Sequence, residues 1–224
     1  MVPRILIDTA AVPEGGELRL FQRGAEFSIM LGANELMNSR LSGSEEALAA
    51  LACERLPDAP QHRLLIGGLG MGFTLRAALS GLEADAIVRV VELVPAVVAW
   101  ARGPMATIFQ GCLEDPRVRI AEGDIAGAIA EFPSAWDAIL LDVDNGPDGL
   151  SRIGNGRLYG PAGLAAARRA LRPHGVLAIW SAAPDRAFAR RLGEAGFAVE
   201  ERMVRARAGR RGARHVIWLA IRTG

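Results

Sequence analysis

The stretch "LLIGGLGMGFTLRAAL", residues 64–79, carries four glycines in six positions, Gly67, Gly68, Gly70 and Gly72, between an apolar run and a helix-like run. A short apolar segment closed by Gly-Gly and followed by helical periodicity reads as strand, tight turn, helix. Backbone this bare lets a chain bend sharply and lets a ligand approach the main chain.

Outward from this turn the pattern repeats. "AIVRVVEL", "RVRIAEGD", "DAILLDVD" and "GVLAIWSA" are strand-like, and "PAVVAWARG", "IAGAIAEF", "GPAGLAAARRALRP" and "PDRAFARRLGEAG" are helix-like. The strands are continuous apolar runs, as expected where both faces of a parallel sheet are covered by helices. This predicts an α/β, doubly wound, mostly parallel sheet. The alternation stops at "FAVEERMVRARA" and "ARHVIWLAIR", joined through "GRRG", which predicts an antiparallel hairpin at one sheet edge.

Before the turn, "RILID", "ELRLFQR" and "EFSIML" are separated by turn residues and predict a small β meander, followed by a helix over "SGSEEALAALACERL". The expected organisation is an N-terminal β segment over 1–42 and a nucleoside-binding domain over 43–224.

Half of the 224 residues are apolar and the formal net charge is +1, which excludes a disordered chain and a bulk polyanion binder. All 26 basic residues are arginine. Cys53 and Cys112 stand far apart without metal-ligand or disulfide spacing, so they read as free thiols of a cytoplasmic protein. No apolar run reaches 18 residues and no signal-like start is present, which predicts a protein of the cytoplasm without membrane association.

Glu92 ends the strand after the glycine turn, 20 positions beyond Gly72. An acid placed there can accept both ribose hydroxyls of an adenosine. Phe73 stands where a pyrophosphate-binding fingerprint has its third glycine, which favours S-adenosylmethionine over a dinucleotide.

On "LLIGGLGMG", "VRVVELVPAVVAWAR", "DPRVRIAEGD", "DAILLDVDNGPDG" and "LYGPAGLAAARRALRPHGVLAIWSA", the chain resembles the class I S-adenosylmethionine-dependent methyltransferase superfamily and, within it, the spermidine synthase-like family. The resemblance covers almost the whole chain and implies a seven-stranded Rossmann-like sheet and a homodimer. It implies a cofactor site of Gly67, Gly68, Gly70, Gly72, Glu92, Leu93, Asp124, Ile125 and Asp142, with Glu92 at the ribose and Asp124 at the adenine. It implies Asp142 at the reaction centre and Asp144, Asn145, Tyr159 and Glu46 around the acceptor.

Three positions depart from the aminopropyltransferase pattern. That family carries "GGGDGG" at the first turn, where this chain has "GGLGMG" and Gly70 in place of the aspartate. Its D-[ST]-[ST]-D is here "DVDN", and Asn145 is no base near neutral pH. Its tyrosine and glutamate at the first helix become "GSEEAL". On these grounds the expected reaction is methyl transfer from intact S-adenosylmethionine to a small acceptor such as an amine, with Asp142 and Asp144 aligning it or removing a proton. The alternative is aminopropyl transfer from decarboxylated S-adenosylmethionine, as in polyamine synthesis, with Asp144 as base. No metal is expected.

A third reading is RNA binding or modification through Arg202, Arg205, Arg207, Arg210, Arg211 and Arg214. No aromatic residue interleaves them, and charge on an edge hairpin guards against edge pairing, so a nucleic-acid partner is disfavoured.

Overall fold

The computed structural model describes residues 2–13, 15–143, 158–206 and 212–224. Two sheets carry the fold. The first is an antiparallel meander of β1 (Ile5–Ala11), β2 (Glu17–Arg23), β3 (Glu26–Leu31) and β4 (Asn34–Asn38). The sequence reading had three of these strands. β4, "NELMN", is short and polar, and its pairing with β3 makes it a strand.

α1 (Gly43–Cys53) leads into the second sheet, which contains β5 (Arg63–Gly67), β6 (Ile87–Glu92), β7 (Val118–Glu122), β8 (Trp136–Leu141), β9 (Leu171–Ser181), β10 (Phe197–Arg205) and β11 (Arg214–Arg222). Their order is β10-β11-β9-β8-β5-β6-β7. β5 pairs in parallel with both β6 and β8, so the chain winds outward in two directions from β5. The carboxyl ends of β5 and β8 therefore flank a topological switch point, where α/β sheets open a crevice.

The terminal hairpin lies at the sheet edge, as expected, with β11 inserted antiparallel between β9 and β10. Among the described residues, the α-helices after α1 are α2 (Phe73–Ser80), α3 (Pro95–Arg102), α4 (Ala106–Phe109), α5 (Ile125–Glu131), α6 (Pro161–Ala170) and α7 (Arg186–Glu194).

The apolar strand runs arise because alternate side chains enter different cores. Leu64 and Ile66 of β5, Ala138 and Leu140 of β8, and Val176 and Ala178 of β9 face one cluster, shared with α1, α2 and the meander's Leu20 and Ile29. Leu65, Ile139, Leu141, Leu177 and Ile179 face the other, against α5, α6 and α7. Burying each Leu, Ile or Val here contributes about 1.5–3 kcal/mol, so a polar residue at any of these positions opposes the fold.

β9 begins directly after α6, earlier than its apolar core suggests, and its pairing slips from Trp136↔Leu171 to Ala138↔Val176. Pro173, His174 at φ 63° and Gly175 occupy the slip. On β1, Ile5, Leu6 and Ile7 are exposed. Cys53 and Cys112 are free and half-buried, and burial pushes each thiol up to about 11. Among the described residues, no helix is long and apolar enough to cross a membrane.

Candidate active site at the carboxyl end of the sheet

Gly67 ends β5, and the chain then turns through Gly68 (φ 88°) and Gly72 (φ 77°) into α2. A Cβ on Gly68 would sit 2.6 Å from the Asp142 carbonyl oxygen, and one on Gly72 would sit 2.4 Å from the Phe109 ring. Both conformations suit glycine alone, and both bring other parts of the chain close: the end of β8 at Gly68 and the end of α4 at Gly72. Gly70 faces Met37 of β4, whose sulfur lies 3.3 Å from where a Cβ would stand. Gly67 lies under Ile125, at the start of α5.

Glu92 is buried at the end of β6. Its Oε2 accepts a hydrogen bond from the Leu69 N–H (2.8 Å) and its Oε1 one from the Val94 N–H (2.9 Å), which ties the glycine turn to the end of β6. Burial pushes its carboxyl above the usual range, and the surrounding N–H groups oppose that shift. Each oxygen keeps a lone pair for a further donor. Leu93 follows, half-buried against the core. Asp124 is exposed and caps α5, accepting from the Ala126 N–H at 2.9 Å.

Between the glycine turn and the meander lies a pocket whose lining includes Met37, Glu45, Gly70, Phe73, Asp142 and Trp180. Two carboxylates thus face one cavity, and no basic side chain is among the lining residues described. Asp142 Oδ2 accepts from the Thr74 hydroxyl of α2 at 2.6 Å. Burial raises the Asp142 carboxyl above its ordinary range. Glu45 is pushed up to about 7, by burial first and by the neighbouring Asp142 second. Like charges this close resist ionising together, so the pair tends to keep a proton. The Trp180 indole N–H, buried beside the pocket, has no acceptor among the described residues.

The residues named from sequence are therefore partly assembled. Gly70, Gly72 and Asp142 line the pocket, while Gly67, Gly68 and Glu92 stand outside its lining, Glu92 joined to it through the Leu69 N–H. Glu45, not Glu46, is the first-helix carboxylate in the lining. Tyr159 is buried away from the lining, edge-on to Phe188 at 5.7 Å. Asp144 and Asn145 lie outside the described residues, as do Arg207, Arg210 and Arg211. Of the remaining hairpin arginines, Arg202 pairs with Glu200 at 2.8 Å.

The chain is similar to known proteins in two ways. It is 33% identical over 127 residues to polyamine aminopropyltransferase 1 of Streptomyces coelicolor, which covers 56% of this chain and 23% of the relative. It is 33% identical over 139 residues to the polyamine aminopropyltransferase of Mycobacterium tuberculosis, covering 60% of this chain and 25% of the relative. The chain thus spans about a quarter of the length of these relatives. No family model matches it.

Among solved structures, the spermidine synthase of Thermotoga maritima superposes with a TM-score of 0.76 at 18% identity, covering 96% of this chain and 72% of that one. The fold is that of the spermidine synthases. A spermidine synthase in complex with the transition-state analogue AdoDATO gives a TM-score of 0.75. The precorrin-6y C5,15-methyltransferase of Geobacter metallireducens is more distant, with a TM-score of 0.57 at 15% identity, covering 78% of this chain and 87% of that one.

These findings overturn the expectation of methyl transfer. That expectation rested on a missing aspartate at Gly70, a missing base at Asn145 and a missing tyrosine–glutamate pair at the first helix. The sequence relatives are named for aminopropyl transfer, and the nearer of these structural neighbours are spermidine synthases. The departures therefore stand in a chain whose fold is that of the spermidine synthases.

Proposed function

We propose that this protein transfers an aminopropyl group from decarboxylated S-adenosylmethionine to an amine acceptor. The observation that carries the reading is the Glu45–Asp142 pair in a pocket beside the glycine turn and Glu92, without a basic group in the described lining. Decarboxylation leaves that donor with a free ammonium in place of a zwitterion, and the acceptor is also cationic. Two carboxylates that resist ionising together are relieved by such a charge.

In this reading Glu92 holds the ribose hydroxyls, Asp124 and Ile125 border the adenine, and Asp142 and Glu45 face the cationic groups. The bound donor supplies an electrophilic carbon already activated by its sulfonium. The protein therefore aligns the amine and removes a proton. Asp142, fixed by Thr74, is the alignment group, and Glu45 is the base. Glu45 also offers a carboxylate in the pocket that Gly70 lines, where the family's first-turn aspartate is missing.

The test is incubation with decarboxylated S-adenosylmethionine and a panel of diamines and polyamines, with products followed by mass spectrometry. An acceptor gaining one aminopropyl group, with methylthioadenosine released, is expected. Turnover only with intact S-adenosylmethionine would refute the assignment.

A further inference from the structure

Behind Glu45 a polar chain leads away from the pocket. Ser44 is 1% exposed, and its hydroxyl donates to Glu45 Oε2 at 2.7 Å. Ser44 Oγ also lies 2.9 Å from Nδ1 of His215, on β11. His215 is half-buried and packs edge-on against Trp180, with ring centroids 4.7 Å apart. A serine hydroxyl has one hydrogen, so these two contacts cannot both be donated by Ser44. With Glu45 ionised, the His215 Nδ1–H donates to Ser44 and Ser44 donates to Glu45. With Glu45 protonated, the chain reverses: Glu45 donates to Ser44, and Ser44 donates to a bare Nδ1.

The proposed reaction needs such a chain, because it releases a proton. The acceptor's ammonium loses a proton to Glu45. The freed amine pair forms a nitrogen–carbon bond as the carbon–sulfur bond breaks, and the bonding pair stays on sulfur as a thioether. The product nitrogen becomes a secondary ammonium, and one proton is left on Glu45. We propose that Ser44 and His215 carry that proton out of the pocket. Glu45 passes its proton to Ser44 Oγ, Ser44 passes its own to Nδ1, and the imidazolium formed discharges to solvent. Ser44 and His215 are relay and positioning residues, which act on the substrate through Glu45. This inference rests on the aminopropyl-transfer reading.

The shifts bear on the last step of the relay, the discharge to solvent. Burial raises Glu45 to about 7 and lowers the His215 imidazole, so an imidazolium formed there gives its proton up to solvent readily. The charged and titratable groups on the elements around His215 are Glu45 and Glu46 of α1, Asp142 after β8, Glu200, Glu201, Arg202 and Arg205 of β10, Arg214 and Arg222 of β11 itself, and Arg172 and His174 at the far end of β9. β9 contributes Ser181 and Trp180. Within the relay itself the acid is Glu45 and the base is His215.

The full chain carries three histidines, His62, His174 and His215, so imidazole resonances are assignable by single replacement. NMR titration of wild type, Glu45→Gln and Ser44→Ala is expected to move the His215 midpoint downward by about half a unit or more in Glu45→Gln. In parallel, Ser44→Ala and His215→Asn are expected to lower kcat by about tenfold or more while the acceptor KM holds. Added imidazole is expected to rescue His215→Ala. His215→Gln serves as a second variant if His215→Asn melts early.

An unchanged His215 midpoint in Glu45→Gln overturns the relay. So does wild-type kcat in a folded His215→Asn, with the reaction itself left standing. No aminopropyl transfer by the wild type overturns the reaction, and the relay falls with it.

Discussion

Glu45 and Glu46 are neighbours in sequence and differ by about 100° around the helix. They therefore stand differently against the buried stripe of α1. Leu48, Ala49 and Ala52 are buried there, and Glu45 joins them at i, i+3, i+4 and i+7. The sequence reading named Glu46 for the acceptor, although this periodicity was legible and selects Glu45. Glu45→Gln is expected to lower kcat/KM for the amine by about 10²-fold, the low end for a lost proton acceptor. Donor binding through the adenosine contacts is expected to persist. Glu46→Gln is expected to stay near wild type. Steady-state kinetics on the two variants decides this, and a larger fall in Glu46→Gln would reverse the assignment. Thr74, which fixes Asp142, left no signal in the sequence, because its role depends on α2 being laid against the end of β8.

Elements were legible wherever a residue run answers to one environment. β5, β6, β8 and β9 sit between two helical layers, so their apolar runs announced them. β4 is too short and polar to announce itself, and the placement of β11 inside β10 depends on long-range pairing. At the amino end of the sheet, opposite the pocket, one side chain joins three strands. Asp137 of β8 is 1% exposed, accepts from the Arg63 N–H of β5 at 2.8 Å and pairs with Arg172 of β9 at 2.9 Å. Arg172 keeps contact with water, at 32% side-chain exposure, so the two halves of the pair are unequal. Arg172→Ala leaves a buried carboxylate uncompensated and is expected to cost about 3 kcal/mol. Asp137→Asn keeps an acceptor for Arg63 and frees Arg172 to solvent, at about 1 kcal/mol. Urea unfolding of both variants tests the order, and equal losses would show that the buried charge is not the governing term.

For the whole molecule, two sets of carboxylates act on stability in opposite directions. Asp115 is held down to about 2, mainly by the Arg117 guanidinium, from an ordinary 3.8. A depressed carboxyl contributes stability above its unfolded value and loses it as pH falls through its folded value, so this contribution fades below about 3.8. Glu45 has the reverse sign. Its folded value of about 7 lies above the ordinary 4.5, so the folded state binds its proton more tightly than the unfolded chain does. That contribution is complete below 4.5 and is lost as pH rises through 7. Asp142, also raised by burial, adds to the same trend. The ligand-free protein is therefore expected to be most stable near pH 5, with urea midpoints declining from there to pH 8. Glu45→Gln removes the titrating group and is expected to flatten the decline. A saturating diamine is expected to flatten it in the wild type, because an ammonium between Glu45 and Asp142 favours the ionised forms that burial opposes. A midpoint that rises from pH 5 to 8 without ligand would show that the pair is already neutralised in the free protein, and that the pocket is not held ready for a cation.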